Sequence, residues 1–365
     1  MTIKIATFNL ENLFTRPTAM RDGIGPEGQQ ALDDFATLNV IVEKTAYSAA
    51  DKQTLVGLSE NYGFHLLNAP ADALIKLQKI REALFSEAGG NLHVKANGRG
   101  DWTGWFELRR DDVVWQSTNN AALVIATVDP DILVCVEAED RPTLQRFNDQ
   151  VLKAGLNKDY PHVMLIDGND ERGIDVGILS RFPIRSAIPH FDDEDNAGKK
   201  IFSRDCPEYD IELPGGGSLV VCPNHFKSKR GGNSPAASAR RKAQATRAHE
   251  IAVAALARSP LVLLAGDFND VPGGPELAPL FTGGFADVLS HPNYPQDRPG
   301  TFDTGLAIGK IDYLIMSTAL NAKILDTGIE RRGTYRPNTW VPFPSVTSKK
   351  NEASDHHCLW ATFDF

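Results

Sequence analysis

The sequence predicts one large α/β domain, and three observations predict it. Short continuous apolar runs, such as Ile132-Leu133-Val134-Cys135-Val136 and Leu261-Val262-Leu263-Leu264, read as strands buried on both faces. Segments with one-sided apolar spacing alternate with them. In 141–154, for example, Leu144, Phe147, Val151 and Leu152 share a helix face. At 365 residues, 42% hydrophobic and 23% charged, the composition is globular and the length supports a sizeable core.

Taken in order, the first strand is read over 3–8, almost at the initiator Met. Residues 15–118 then break the rhythm, with helical pieces expected at 31–58 and 70–87 and an aromatic, charged stretch from Trp102 to Trp115. No linker flanks this segment, so it is read as a largely helical, cap-like insertion within a single domain spanning 1–365. Asn120 to Val128 reads as the end of a helix closed by Asp129-Pro130. Strands follow at 132–136, 163–166, 174–179 and 218–222. A long Ala- and Arg-rich helix at 236–258 leads to strands at 261–264, 311–316 and 358–363. Pro and Gly clusters at 214–217, 271–275 and 292–300 mark loops.

The net charge of −9, with a pI near 5.5, argues against a protein that holds long duplex DNA by bulk electrostatics. A local basic patch remains compatible with it. Four cysteines are present, none paired at metal-ligand spacing, which suits buried thiols in a reducing compartment. Neither a secretory signal nor a run of roughly 18 apolar residues is seen, so a cytoplasmic protein without membrane attachment is expected. Oligomeric state is left open.

The informative anomaly is what stands at the strand ends. The first strand runs into Asn9, Leu10 and Glu11; the second ends at Glu137; the third reaches Asn224 and His225. Leu261–Ala265 runs into Gly266, Asp267, Phe268 and Asn269, and Ser354, Asp355 and His356 precede the last strand. Singly, each has an ordinary explanation as a turn former, a surface carboxylate or a hydrogen-bonded histidine. Jointly they require five unrelated accidents, whereas ligands in α/β proteins bind beyond strand ends. Carboxylates and amides without a cysteine cluster suit a hard cation, Mg²⁺ with Mn²⁺ as a substitute. Mg²⁺ takes one or two carboxylates, and Glu137 and Asp355 fit that pair. A neighbouring histidine can protonate a leaving oxygen or stabilise charge at phosphorus.

Asn9, Glu137, NHFKS (224–228), GDFND (266–270), IDYLI (311–315) and SDHH (354–357) together resemble the endonuclease/exonuclease/phosphatase family. The stretch from EAED through LIDGNDERGIDVGILSRFPI resembles its bacterial nuclease-like branch. The resemblance covers both chain ends and most of 119–365. It implies a four-layer α/β sandwich, with two packed, mainly antiparallel sheets flanked by helices and the site at one rim. It further implies that Glu137 and Asp355 ligate the metal with Asn9 close by. Asp267 would orient or deprotonate the attacking water, and Asn269 would hold a phosphate oxygen. His356 would contact the scissile phosphate, oriented by Asp312, while His225 assists the leaving group. Whether Asp267 or His356 is the base stays open. Arg172 and Asp175 of RGID fall where relatives place polar groups near phosphate. Lys227, Lys229 and Arg230 form a basic loop that could grip flanking phosphates. His357 reads as a packing neighbour.

The expected activity is therefore metal-assisted attack of water on phosphorus in a phosphodiester, with nucleic acid a candidate substrate. The inositol phosphatase branch carries a Trp before its Gly-Asp and a Cys-Asp-Arg near the later Asp; here Leu264-Ala265 precede Gly266 and Tyr313 follows Asp312. Phosphomonoester hydrolysis is the alternative, and an inactive binding protein on the same fold a third reading. In the insertion, Trp102, Trp105 and Phe106 are candidates to stack on a base.

Overall fold

A computed structural model of the chain describes residues 1–14, 17–20, 25–64, 70, 73–110, 115–229, 234–292, 294 and 298–365. It forms two compact units, Met1–Phe14 with Gln116–Phe365, and Thr15–Trp115. Strand β1 (Thr2–Leu13) opens the larger unit before the chain enters the smaller one.

The smaller unit begins with helices α1 (Pro26–Val42) and α2 (Ala49–Tyr62). The expected 31–58 helix is split because Ser48 starts a new one: its Oγ accepts from Asp51 N, and the Asp51 carboxylate accepts from Ser48 N. Gly63, at φ 70°, ends α2 in the left-handed conformation. Among the described residues of 70–87 the expected helix is absent. Its place is taken by β2 (Ile75–Arg81) and β3 (Phe85–Ala88), which pair with β5 (Thr103–Leu108) and β4 (Asn91–Val94). Lys, Leu, Gln and Glu favour a helix locally. The cross-strand pairs Ile75–Leu108 and Leu77–Phe106 override that preference. Trp102 and Phe106 are buried in this unit's own core, Trp102 donating from Nε1 to the Tyr47 hydroxyl at 2.9 Å. Of the three rings expected to stack on a base, only Trp105 is exposed, at 47%.

The larger unit resumes with α3 (Gln116–Val128), β6 (Ile132–Ala138) and α4 (Arg141–Arg146), which continues through a π-helical stretch into α5 (Ala154–Leu156). Next come β7 (His162–Leu165), β8 (Asp175–Ser180), β9 (Ile184–Ile188), β10 (Glu208–Glu212) and β11 (Ser218–His225). Helix α6 (Pro235–Ala255) starts at the Ser234 cap and leads to β12 (Val262–Asp267), β13 (Ala286–Asp287) and β14 (Asp312–Met316). After α7 (Thr318–Asn321), β15 (Ile324–Glu330) and β16 (Cys358–Asp364) close the chain.

The strands build two six-stranded sheets, ordered β15-β16-β1-β6-β8-β7 and β13-β14-β12-β11-β10-β9. Each contains one parallel pair, β1 with β6 and β11 with β12; all other pairings are antiparallel. Side-chain alternation separates the layers. In β12, Leu263 and Ala265 join Ile5, Val134 and Ile178 between the sheets, while Val262 and Leu264 face Ala248 and Ile251 of α6. Helix α3 packs against β1 and β16 on the other side. This is the α/β sandwich with mainly antiparallel sheets that the motifs implied. Each fully buried aliphatic side chain contributes roughly 1.5–3 kcal/mol, so strands buried on both faces anchor the ends on which the site is built.

Candidate active site

The polar strand ends converge because each sheet brings its central strands to the same rim. His225 ends β11 and stands in register with Asp267 at the end of β12. Asp312 opens the antiparallel β14 and lies opposite Asp267. The approach of β12 to β11 is tight at Gly266, where φ is 140° and a Cβ would lie 2.0 Å from Asn224 O, so only glycine fits before Asp267. In the other sheet, β1 and β6 are in register at Asn9 and Val136, then shift by Leu13 and Ala138. Glu11 and Glu137 sit in that irregular stretch at φ 50° and 64°. Left-handed carboxylate residues at a bulge cost conformational energy and re-aim side chains out of the strand alternation. Asn269 and Asp303 share this conformation, at φ 52° and 50°.

The resulting contacts are short. Asn9 Nδ2 lies 3.1 Å from Glu137 Oε1, 3.4 Å from Asp267 Oδ2 and 3.5 Å from His356 Nε2. His225 Nε2 is 3.6 Å from Asp267 Oδ2 and 3.8 Å from Glu137 Oε1. Asn269 binds Asp267 twice, through its backbone N at 2.8 Å and Nδ2 at 3.0 Å. His356 Nδ1 meets Asp312 Oδ2 at 2.9 Å, and His356 Nε2 is 3.9 Å from both Asp267 Oδ2 and Asp355 Oδ1. Eight of the residues singled out from the sequence are thus gathered: Asn9, Glu137, His225, Asp267, Asn269, Asp312, Asp355 and His356.

The two histidines occupy opposite electrostatic settings. Burial, reinforced by the charges of Arg204 and His356, drives the His225 imidazole well below its usual pKa, so it is neutral. Burial also opposes charge on His356, but the adjacent Asp312 carboxylate outweighs it and pushes the ring up to about 10. The Asp267 carboxyl is raised, first by burial and then by the charge of Asp312. Pairs of groups driven apart in this way divide proton donation, acceptance and charge stabilisation among themselves.

The remaining predicted residues are placed differently. Arg172 is exposed and forks onto Asp170 through Nε at 3.0 Å and Nη2 at 2.9 Å. Asp175 is buried and accepts from Gly168 N at 2.9 Å. Lys229 is bound to Asp270, which also holds the fully buried Arg241 at 3.0 Å. Lys227 anchors its loop through the main chain, its N donating to Gln244 and its O accepting from Arg241. Arg230 lies outside the described residues. His357 is buried against Trp340 and Thr334, a packing neighbour as expected.

Sequence reasoning missed two side chains. Arg204 is 5% exposed, pairs with Asp170 at 2.9 Å, and counts Glu137 and Asp267 among its electrostatic neighbours. It sits in a loop with no strand-end signature. Phe302 packs its ring edgewise on His356, 5.0 Å between centroids. Glu11 was read only as part of the first strand's end, yet its Oε2 accepts from Asp355 N at 3.1 Å.

The donor set fits a hard divalent cation. Glu137 and Asp312 add their charges to the burial that raises Asp267, and Asp312 Oδ1 is buried without a hydrogen-bond partner. Asp267, Asp312 and His356 offer atoms within 4.8 Å of one another. In that trio, however, Asp312 Oδ2 and His356 Nδ1 are spent on each other, and His356 bears a proton. Glu137 and Asp355 are partly exposed, at 19% and 34%, and are the better pair for a largely hydrated ion.

The chain matches the model of the Endonuclease/Exonuclease/phosphatase family over residues 116–356. No curated protein matches the sequence. Among solved structures, an endonuclease/exonuclease/phosphatase family protein from Bacteroides thetaiotaomicron is similar over 100% of this chain and 99% of its own, with 14% identity and a TM-score of 0.51. That likeness shows the fold. Truncated Caenorhabditis elegans TDP2 has 21% identity, 68% and 90% coverage and a TM-score of 0.48. An endonuclease/exonuclease/phosphatase from Beutenbergia cavernae has 19% identity, 68% and 66% coverage and a TM-score of 0.49.

Proposed function

The chain belongs to the endonuclease/exonuclease/phosphatase family, and on that premise we propose that this metal-dependent phosphoesterase uses Mg²⁺ to hydrolyse phosphodiester bonds, as a nuclease or phosphodiesterase. The carrying observation is the convergence of Asn9, Glu137, His225, Asp267, Asn269, Asp312 and His356 from the ends of strands in both sheets. Glu137 and Asp355 hold the cation, with Asn9 fixing the Glu137 carboxylate. Bound there, the cation supplies Lewis-acid polarisation of a phosphoryl oxygen and a more acidic water.

The residues divide the remaining work. Asp267, locked by Asn269 and raised toward proton affinity, takes the proton of the attacking water. His356, already charged, stabilises negative charge on the phosphoryl oxygens, which favours Asp267 as base. Neutral His225 offers a hydrogen bond to the departing oxygen. Arg204 and Arg172, bridged by Asp170, add cationic contacts for the phosphate. Four buried free thiols support a reducing, cytoplasmic setting. Among the described residues no helix is long and apolar enough to cross a membrane.

The test is hydrolysis of bis-p-nitrophenyl phosphate and single-stranded DNA by purified protein with Mg²⁺ or Mn²⁺. Activity is expected on both, abolished by EDTA. The Asp267→Asn variant should turn over at least about a hundredfold more slowly. Cleavage confined to aryl phosphomonoesters would replace this reading with a phosphatase.

A further inference from the structure

Lys310 is a fully buried cation with no part in the chemistry above. It stands two residues before Asp312, with its side chain 1% exposed. Its Nζ donates to Asp312 O at 2.5 Å, lies 3.3 Å from Asp287 Oδ2 and sits 3.5 Å from the centre of the Tyr313 ring. The Tyr313 hydroxyl donates to Asp270 O at 2.8 Å and lies 3.1 Å from Lys310 O. The ammonium therefore joins the start of β14 to Asp287 of β13, and the Tyr313 ring beneath it reaches the loop after β12 that carries Asn269 and Asp270.

Stability alone does not explain such a pair. Taking an ammonium and a carboxylate out of water is costly, and well-packed apolar replacements are often neutral or stabilising. What the pair does provide is a fixed main chain at Asp312. That residue is held by Thr301 Oγ1 at its N (2.9 Å), by Lys310 at its O and by His356 at its carboxylate. We propose that Lys310, anchored by Asp287, is a positioning residue that sets the orientation of the Asp312–His356 pair. The proposal rests on the reading of His356 as the group that faces the phosphate.

The test removes both charges together, so that neither is left buried and unpaired. The Lys310→Met/Asp287→Leu double variant is expected to melt at or above the wild-type Tm. Its kcat on bis-p-nitrophenyl phosphate should fall roughly ten- to hundredfold, the scale of a small misplacement in an active site, with KM within about twofold. Independently of turnover, the low-field proton resonance of His356 Nδ1–H, assigned by its loss in His356→Ala, should broaden or move upfield. Lys310→Arg keeps a cationic donor at the Asp312 carbonyl and should recover at least about half of kcat. Wild-type kcat and an unchanged resonance in the double variant would overturn the proposal, as would equal losses in the double variant and Lys310→Arg. If the wild-type protein cleaves no phosphodiester, the functional reading falls, and the resonance alone decides the role of Lys310.

Discussion

Asp312→Asn changes one atom and should disable His356 without removing it. In the wild-type fold His356 Nδ1 faces Asp312 Oδ2 at 2.9 Å, and that carboxylate overcomes burial to lift the ring from 6.5 to about 10. The rise corresponds to on the order of 5 kcal/mol of preference for the charged ring. An asparagine amide would donate to Nδ1, leaving the proton on Nε2 and the ring neutral. With the carboxylate gone, burial dominates and keeps it so. Loss of one preorganised electrostatic partner costs roughly a hundred- to thousandfold in kcat, and the wrong tautomer adds to that loss. The assay is kcat for bis-p-nitrophenyl phosphate at pH 7, with the His356 ring proton followed by NMR from pH 5 to 10. Linkage sets the sign of a second readout. A ring raised in the fold contributes stability that is complete below 6.5 and lost as pH rises through about 10. Asp312→Asn should flatten that part of the Tm–pH curve. A variant with kcat within threefold of wild type, or a His356 ring still charged at pH 8, would refute the reasoning.

Three further outcomes are expected. Glu137→Gln should weaken Mg²⁺ binding by more than about tenfold in calorimetric titration, while a peripheral site would leave it unchanged. Arg204→Met should lower kcat/KM and also destabilise, since it removes the buried one of two cations from the partly buried Asp170; breaking a fully buried pair costs about 3–5 kcal/mol, and the exposure of Asp170 with Arg172 retained on it places this below that range in urea unfolding. Asp175 is pushed up to about 7, chiefly by burial. Its ionisation therefore subtracts stability progressively as pH climbs from about 4 to about 7, and the Tm advantage of Asp175→Asn over wild type should grow across that interval and stay constant above it.

Much of the larger unit was legible in the sequence, for a physical reason. Strands buried on both faces are written as unbroken apolar runs, so β6, β12 and β14 announced themselves. A polar residue ending such a run stands out, which is how Glu137, His225 and Asp267 were found. Several strands at or near sheet edges carry no such mark. The mixed sequences of β9 (IRSAI), β10 (EYDIE) and β15 (ILDTGIE) were not read as strands. In the insertion, helix-favouring residues at 75–81 concealed a strand that only pairing with 103–108 stabilises.

By itself, then, the sequence determined the layered α/β architecture, its apolar strands and the polar groups at their ends, because burial and periodicity are local properties of the chain. The tertiary structure alone decided where those groups aim and which ions partner them. The aim of Glu137 depends on a bulge between β1 and β6. The place of Arg204 depends on Asp170 across a loop, and Lys229 is committed to an aspartate 41 residues away. Contacts between residues so far apart are settled by how the sheets and loops pack, and no local pattern in the chain encodes them.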